Sequence, residues 1–293
     1  FVDFEFITND GELPKPVCLV AIEYRTGKII RLWGDEINRY QEPPYGIGEN
    51  SLFVAYYSTA EMGCHLVQRW QLPDNVIDFY VEFKNKTNNL ELPYNYGQQK
   101  KSGRSLIDAL RYYGLNTIGE ESKEAMRNLI LGGKWNQEDK ERILDYCESD
   151  VEALRQLFPQ IIVNINIGQA LLRGEYMKAT AIIEHNGIPI DYETFEKIKN
   201  NWETVQEILI EKFNEKYNIF EGRTFKRDRF EEWLVQKNIN WPRLDSGQLD
   251  LKDETFRQMA RANLEIAPIR EIRNILSKMR LLNLAVGSDH RNR

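Results

Sequence analysis

The run NQEDKERILDYCESDVEALRQLF, residues 136–158, constrains the fold more than any other stretch. At about 100° per residue it reads as one helix. Ile143, Leu144, Cys147, Val151, Leu154, Leu157 and Phe158 share one arc, and Glu141, Asp145, Glu148 and Glu152 share the opposite one. Asp150 breaks the pattern, because it falls inside the apolar arc between Tyr146 and Leu154. Burying an unpaired carboxylate costs several kcal/mol. Any fold that packs this helix must therefore provide Asp150 with a partner.

The rest of the chain supplies a surface for the helix to pack on. FVDFEFI alternates, with Val2, Phe4 and Phe6 on one face and Asp3 and Glu5 on the other. VCLVAIEY and IIRLW follow as strands around a hairpin turn, and SLFVAYY reads as a fourth, buried strand. TAEMGCHLVQRW is a short helix. A long polar loop runs to residue 103, and RSLIDALRYYG and SKEAMRNLILGG are helices. Strands first, then helices packed on them, is an α/β or α+β layer arrangement. Pro159 and NINIGQ mark a change, and beyond it the chain reads as nearly all helical. ALLRGEYMKATAIIEHNG closes on an Asn-Gly stop. A long amphipathic helix covers 193–217, with shorter ones at 224–238 and 251–263 and a basic one from Pro268. The expected division is 1–165 and 166–293.

With 293 residues, 42% of them hydrophobic, the chain has ample core for two domains. It has no apolar run long enough to span a bilayer. Cys18, Cys64 and Cys147 form no CxxC pair, so neither a zinc site nor a disulfide framework is indicated, and a reducing setting is expected. The start at Phe1 and the polar end at Arg293 read as the edges of a fragment. The net charge is −7 over residues 1–159 and +3 over 243–293. An acidic first part does not advertise phosphate binding, but it suits carboxylates that hold hard divalent cations.

Four acids are placed for that role. Asp3 and Glu5 project from one strand face, about 7 Å apart. Glu61 opens a helix just after a strand. Tyr146 and Asp150 lie at i and i+4 on one helical face. Converging, Asp3, Glu5, Glu61 and Asp150 suffice for two divalent ions, and a phenol one turn from Asp150 can hold a water in line for phosphodiester hydrolysis. Taken singly, Glu61 shares the polar side of its helix with His65 and Gln68 and reads as solvent-facing. Asp78 reads as a helix cap. Glu61, Cys64 and His65 mimic a ligand cluster, but Cys64 points to the apolar side.

In their order, DFEF, LFVAYYSTAEMGCHL and YCESDVEAL resemble the three motifs of the DEDD 3′–5′ exonucleases, in the subclass whose last motif is Tyr-x-x-x-Asp. With SLIDALRYYGL before the last motif, residues 1–160 resemble the proofreading domain of bacterial or phage family A (polymerase I-type) DNA polymerases. EYMKATAIIEHNGIPID, LDSGQLDLKDETFRQMA and PIREIRNILSKMRLLNLAVGSD resemble the approach to, and part of, the polymerase thumb.

The resemblance implies an RNase H-like mixed sheet flanked by helices over 1–165, and a mostly helical thumb segment after it. It implies two Mg²⁺ or Mn²⁺ ions, with Asp3 bridging them, Glu5 and Asp150 on the first, and Glu5 and Tyr146 orienting the water. It also implies a single-stranded DNA 3′ end in the site, duplex DNA along the thumb, a monomer, no membrane, and a cytoplasmic setting in a bacterial or phage-infected cell. The second motif departs from the pattern: the family's Asn-x-x-x-Asp is here Tyr57 and Glu61, and Glu is one methylene longer. A ribonuclease D-type exoribonuclease shares the motifs, and a degenerate nuclease kept as a DNA-holding scaffold is the non-enzymatic alternative. Tyr56, Tyr57 and Phe79 are candidates to stack on a base. KKSGR at 100–104 is a candidate phosphate contact, and Arg270, Arg273, Lys278 and Arg280 are spaced to track a backbone.

Overall fold

A computed structural model describes residues 1–90, 103–116, 120–278 and 283–293, without the side chains of 120–123 and 278. The chain is a helix-rich mixed α/β protein with small sheets. It divides into two compact units, Phe1–Ile188 with Val286–Arg293, and Pro189–Ala285. Among the described residues no helix is long and apolar enough to cross a membrane.

The first unit begins with an antiparallel sheet of β1 (Val2–Ile7), β2 (Lys15–Ile22) and β3 (Ile29–Trp33), in that order. Asp3 lies opposite Val20 and Glu5 opposite Cys18, and the register shifts between Glu5 and Phe6. The alternation of β1 is realised: Val2 and Phe4 enter a core with Leu19, Ala21, Met62 and Cys64. On the other face Cys18, Val20 and Ile22 pack against Ile143, Leu144, Cys147 and Val151.

The short α1 (Gly34–Ile37) leads towards β4 (Phe53–Ala55). A crossover through α2 (Thr59–Val67) returns the chain to β5 (Val76–Asp78), which pairs parallel to β4. β4 also lies against β1. α3 (Phe79–Lys86) starts directly at Asp78 and extends into the stretch read as loop. α4 (Leu106–Tyr112) opens on a Ser105/Asp108 capping box, and α5 (Glu120–Leu131) follows.

α6 (Gln137–Ile162) opens on an Asn136/Asp139 box and buries the predicted arc, from Ile143 to Leu157. It continues through Pro159, whose missing N–H costs only the bond to the carbonyl of the solvent-facing Arg155. Arg31 on β3 ties down its outer face, pairing with Glu148 and with Asp145 at 2.7 Å.

α7 (Ile167–Asn186) belongs to the first unit, so the compact division falls after residue 188 rather than at 165. It packs on α2 and β5, and Arg173 makes a two-pronged bond to the buried Glu82 at 2.6 and 2.7 Å. Gly174 lets the helix in: a Cβ there would sit 2.1 Å from the Val76 carbonyl oxygen. Gly174→Ala gains helix propensity of about 1 kcal/mol, but the overlap outweighs it. A net loss of about 2 kcal/mol is expected in urea denaturation. The helix ends at Gly187 with φ +58, as the Asn-Gly signal predicts.

The division falls at β6 (Ile188–Pro189). The second unit holds α8 (Tyr192–Tyr217), a hairpin of β7 (Phe220–Glu221) and β8 (Thr224–Phe225), α9 (Arg227–Gln236), α10 (Asp253–Ala262) and α11 (Ile266–Lys278). Thr224 and Phe225, read as helix, pair back on β7 instead. The core is aromatic, with Phe230 stacked near both Trp233 and Phe256. Arg273 does not track along the surface as its spacing suggested. Its guanidinium lies 4.0 Å from the Phe256 ring centre and donates to the Leu251 carbonyl at 3.0 Å. Arg270 is engaged by Asp253 at 2.9 and 3.0 Å. Arg280 and the side chain of Lys278 lie outside the described residues. The tail carrying β9 (Arg291–Asn292) belongs to the first unit, where Arg293 donates to the carbonyls of His185 and Gly11.

Candidate functional site

β1 and α6 carry four of the five predicted residues. Asp3 and Glu5 leave β1 on the face that α6 covers, and all of Asp3, Glu5, Tyr146 and Asp150 are half-buried. Tyr146 and Asp150 lie one turn apart on α6, close enough for the Asp150 carboxylate to act on the phenol. Burial first, then the charges of Asp150, Glu5 and Asp3, push the Tyr146 phenol well above its usual value. It therefore stays a neutral O–H, able to orient a ligand but not to accept its proton. Cys147, between them on the helix, sends its thiol to Asp3: Sγ lies 3.2 Å from Oδ2 and 3.4 Å from the main-chain oxygen.

Glu61 joins the cluster from α2. Sequence periodicity put it and His65 on a wet helical face, yet both are buried, Glu61 at 2% exposure. The reason is tertiary: α2 lies between the β1–β2 sheet and α7, so little of its surface remains for water. Burial, then repulsion from Asp3, raises the Glu61 carboxyl well above the usual carboxylate range. Its Oε2 has no hydrogen-bond partner among the described residues.

His65 is occupied elsewhere. Its Nδ1 donates to the Gln71 carbonyl at 2.9 Å, so Nε2 accepts from the Tyr45 hydroxyl at 2.6 Å. Burial holds it down at about 4, as a neutral imidazole. Cys64 is buried on the apolar side as expected.

Asp78 does more than cap α3. It accepts from Val81 N at 3.0 Å, as its position just before α3 predicts. It also accepts from Tyr57 N at 3.2 Å, Ser58 N at 2.6 Å and Ser58 Oγ at 2.8 Å. These bonds hold the turn between β4 and α2, where Tyr57 adopts φ +70. That turn sets where α2 starts, and so where Glu61 stands. Burial still leaves the Asp78 carboxyl above its ordinary range despite the four donors. Its second role is invisible in sequence because the pairing of Ala55 with Asp78 depends on the parallel register. Asp78→Ala orphans four donors at once and should cost about 3 kcal/mol in urea denaturation.

The cluster is open on two sides. One cleft, about 740 Å³, joins Asp3 and Asp150 to Tyr57, Tyr80, Lys84 and Arg104. The other, about 990 Å³, joins Glu5 and Tyr146 to Thr8, Arg127 and Asn128. Tyr57 is exposed and meets Tyr80 edge-on, with ring centres 5.3 Å apart. Phe79 is fully buried and unavailable for stacking, and the Tyr56 hydroxyl donates to the Arg104 carbonyl at 2.5 Å. Lys100 and Lys101 lie outside the described residues.

Among the described residues no three His, Cys, Asp or Glu side chains stand in ready ion-binding geometry. The donor set nonetheless fits a hard cation. Glu61 brings a buried, unpartnered carboxylate oxygen into the field of Asp3, Asp78 and Glu5, and positive charge is what relieves it. No family model matches this sequence and no curated protein matches it, so the chemistry of the site rests on these residues and their arrangement.

Proposed function

We propose that the first unit is a DEDD-type 3′–5′ exonuclease acting on DNA, the proofreading part of a family A DNA polymerase, with the second unit as a thumb segment. The observation that carries this reading is the convergence of Asp3, Glu5, Tyr146 and Asp150, from β1 and α6, beside the buried Glu61 of α2, on which Asp3 and Glu5 act as negative charge. The β1–β3 meander, the parallel β4–β5 pair and the flanking helices are compatible with the RNase H-like fold that the motifs imply.

Asp3, Glu5, Glu61 and Asp150 would hold two Mg²⁺ or Mn²⁺ ions, which when bound lower the pKa of water and stabilise charge on the leaving oxygen. Tyr146, one turn from Asp150 and kept protonated, orients the attacking water together with Glu5. Tyr57 and Tyr80 offer ring faces to unstacked bases, and Lys84 and Arg104 balance backbone phosphates beside them. Water adds to the terminal phosphorus, the bond to the 3′ oxygen breaks, and a nucleoside 5′-monophosphate leaves.

The test is release of mononucleotides from a 3′-labelled single strand with Mg²⁺ and with Mn²⁺. Activity that survives Asp3→Ala and Asp150→Ala overturns the assignment. A matched RNA strand cut faster than DNA would move the chain to the ribonuclease D type. One observation favours the scaffold reading: Glu61 is buried and lines neither cleft. Under that reading single-strand binding persists without metal and without cleavage.

A further inference from the structure

We propose that Cys147 is a positioning residue for Asp3, its thiol donating to the carboxylate from the floor of the acid cluster. The inference rests on the exonuclease reading above and adds to it a residue outside the acid-and-tyrosine set. A buried thiol is usually a small apolar filler, and the apolar arc of α6 gives Cys147 that place. Packing does not explain where its sulfur points. Sγ lies 3.2 Å from Asp3 Oδ2 and 3.4 Å from the Asp3 main-chain oxygen. One donor therefore reaches both the side chain and the strand that bears it, which fixes the carboxylate's rotation relative to β1.

Its neighbours restrict it further. Cys147 is fully buried, follows Tyr146 directly and sits one turn before Asp150. Cys18, also fully buried and opposite Glu5 in the register, packs in the same core cluster. The S–H group is a weak donor. It sets the direction of the Asp3 carboxylate while leaving most of its negative charge for a cation. A hydroxyl would do the same job more strongly, and a methyl would not do it at all. The buried, unpartnered Oε2 of Glu61 in the same cluster marks where positive charge is wanted.

The experiment compares Cys147→Ala and Cys147→Ser in the full 293-residue chain. The substrate is the 3′-labelled single strand, and Mn²⁺ binding is measured separately by calorimetry. Cys147→Ala should lower kcat about tenfold, leave KM within about twofold, and weaken Mn²⁺ binding about threefold. Cys147→Ser should recover at least half of the wild-type kcat. A readout free of metal and activity is the S–H stretching band of Cys147, isolated as the difference between wild type and Cys147→Ser. It should lie lower than a free thiol's band and move on Asp3→Asn.

An unmoved band, or equal losses in the Ala and Ser variants, overturns the proposal. If Cys147→Ala does not fold, Cys147→Val against Cys147→Ser decides by the same rescue. A wild type that releases no nucleotide defeats the exonuclease reading alone, because the band still reports the contact between Cys147 and Asp3.

Discussion

Asp150→Asn is expected to lower mononucleotide release about 10³-fold while raising the thermal midpoint of the metal-free protein by about 2–4 °C. The two effects have one cause. Asp150 and Tyr146 on α6 face Asp3 and Glu5 on β1, and Tyr146 feels all three acids as negative charge. Without a cation these carboxylates repel each other across half-buried ground, where water screens them incompletely. An amide removes one charge and keeps the shape, so the fold gains. Cation binding and the orientation of Tyr146 both lose their anchor, so hydrolysis fails. Such opposed effects mark a site held together against its own stability. Asp3→Asn should act in the same direction. The check is a rate measurement with excess Mg²⁺ beside a melting curve in chelator. A melting point that falls instead would make Asp150 a structural partner of Tyr146 and take away its catalytic assignment.

The features legible in the sequence are those fixed within a few residues. The alternation of β1, the apolar arc of α6, the Asn-Gly end of α7 and the cap at Asp78 depend on spacings of one to four positions, and each is realised. Asp150 was conspicuous for the same reason, since a helical wheel compares it only with its own helix. The features that periodicity missed are made by distant segments. Glu61 loses its wet face to α7, more than a hundred residues later, which no wheel drawn on α2 contains. The Cys147 thiol and Asp3 are 144 residues apart. Arg273 turns inward because Phe225 and Phe256 offer ring faces that its own helix does not reveal. α7 joins the first unit because Gly174 admits it against Val76, a close approach that a lone glycine in a helical run does not announce.

The two clefts give the cluster a direction. Asp3 and Asp150 look into the one edged by Tyr57, Tyr80, Lys84 and Arg104, and Glu5 and Tyr146 into the one edged by Arg127 and Asn128. On the proposed exonuclease reading, a strand running from one cleft to the other would pass the acids at its scissile bond. Glu61 lines neither cleft, so on that reading it offers the strand no contact. Its substitution should therefore act on cations and stability and leave strand affinity alone, which separates it from the cleft residues.

Glu61→Gln is expected to lower release about 100-fold, to leave single-strand affinity unchanged, and to stabilise the metal-free protein by an amount that grows with pH. The folded state holds the Glu61 carboxyl above its unfolded value of 4.5, because burial and then the charge of Asp3 oppose ionisation. A group raised on folding contributes stability that is fully present below its unfolded pKa and is lost as pH rises through the folded value. Metal-free wild type should thus weaken progressively above about pH 4.5, as ionisation at Glu61 becomes favourable only in the unfolded chain. An ionised carboxylate at such depth costs several kcal/mol, whereas an amide carries no charge to bury. Melting curves from pH 4 to pH 8 should nearly coincide for wild type and Glu61→Gln at the acid end, and separate by about 4 °C or more at the other. Saturating Mg²⁺ should close the gap by stabilising wild type alone, because a cation that binds only the folded form adds its binding free energy to stability. Should Mg²⁺ shift both proteins equally, Glu61 holds no ion, and the proposed exonuclease site lacks its second-motif ligand.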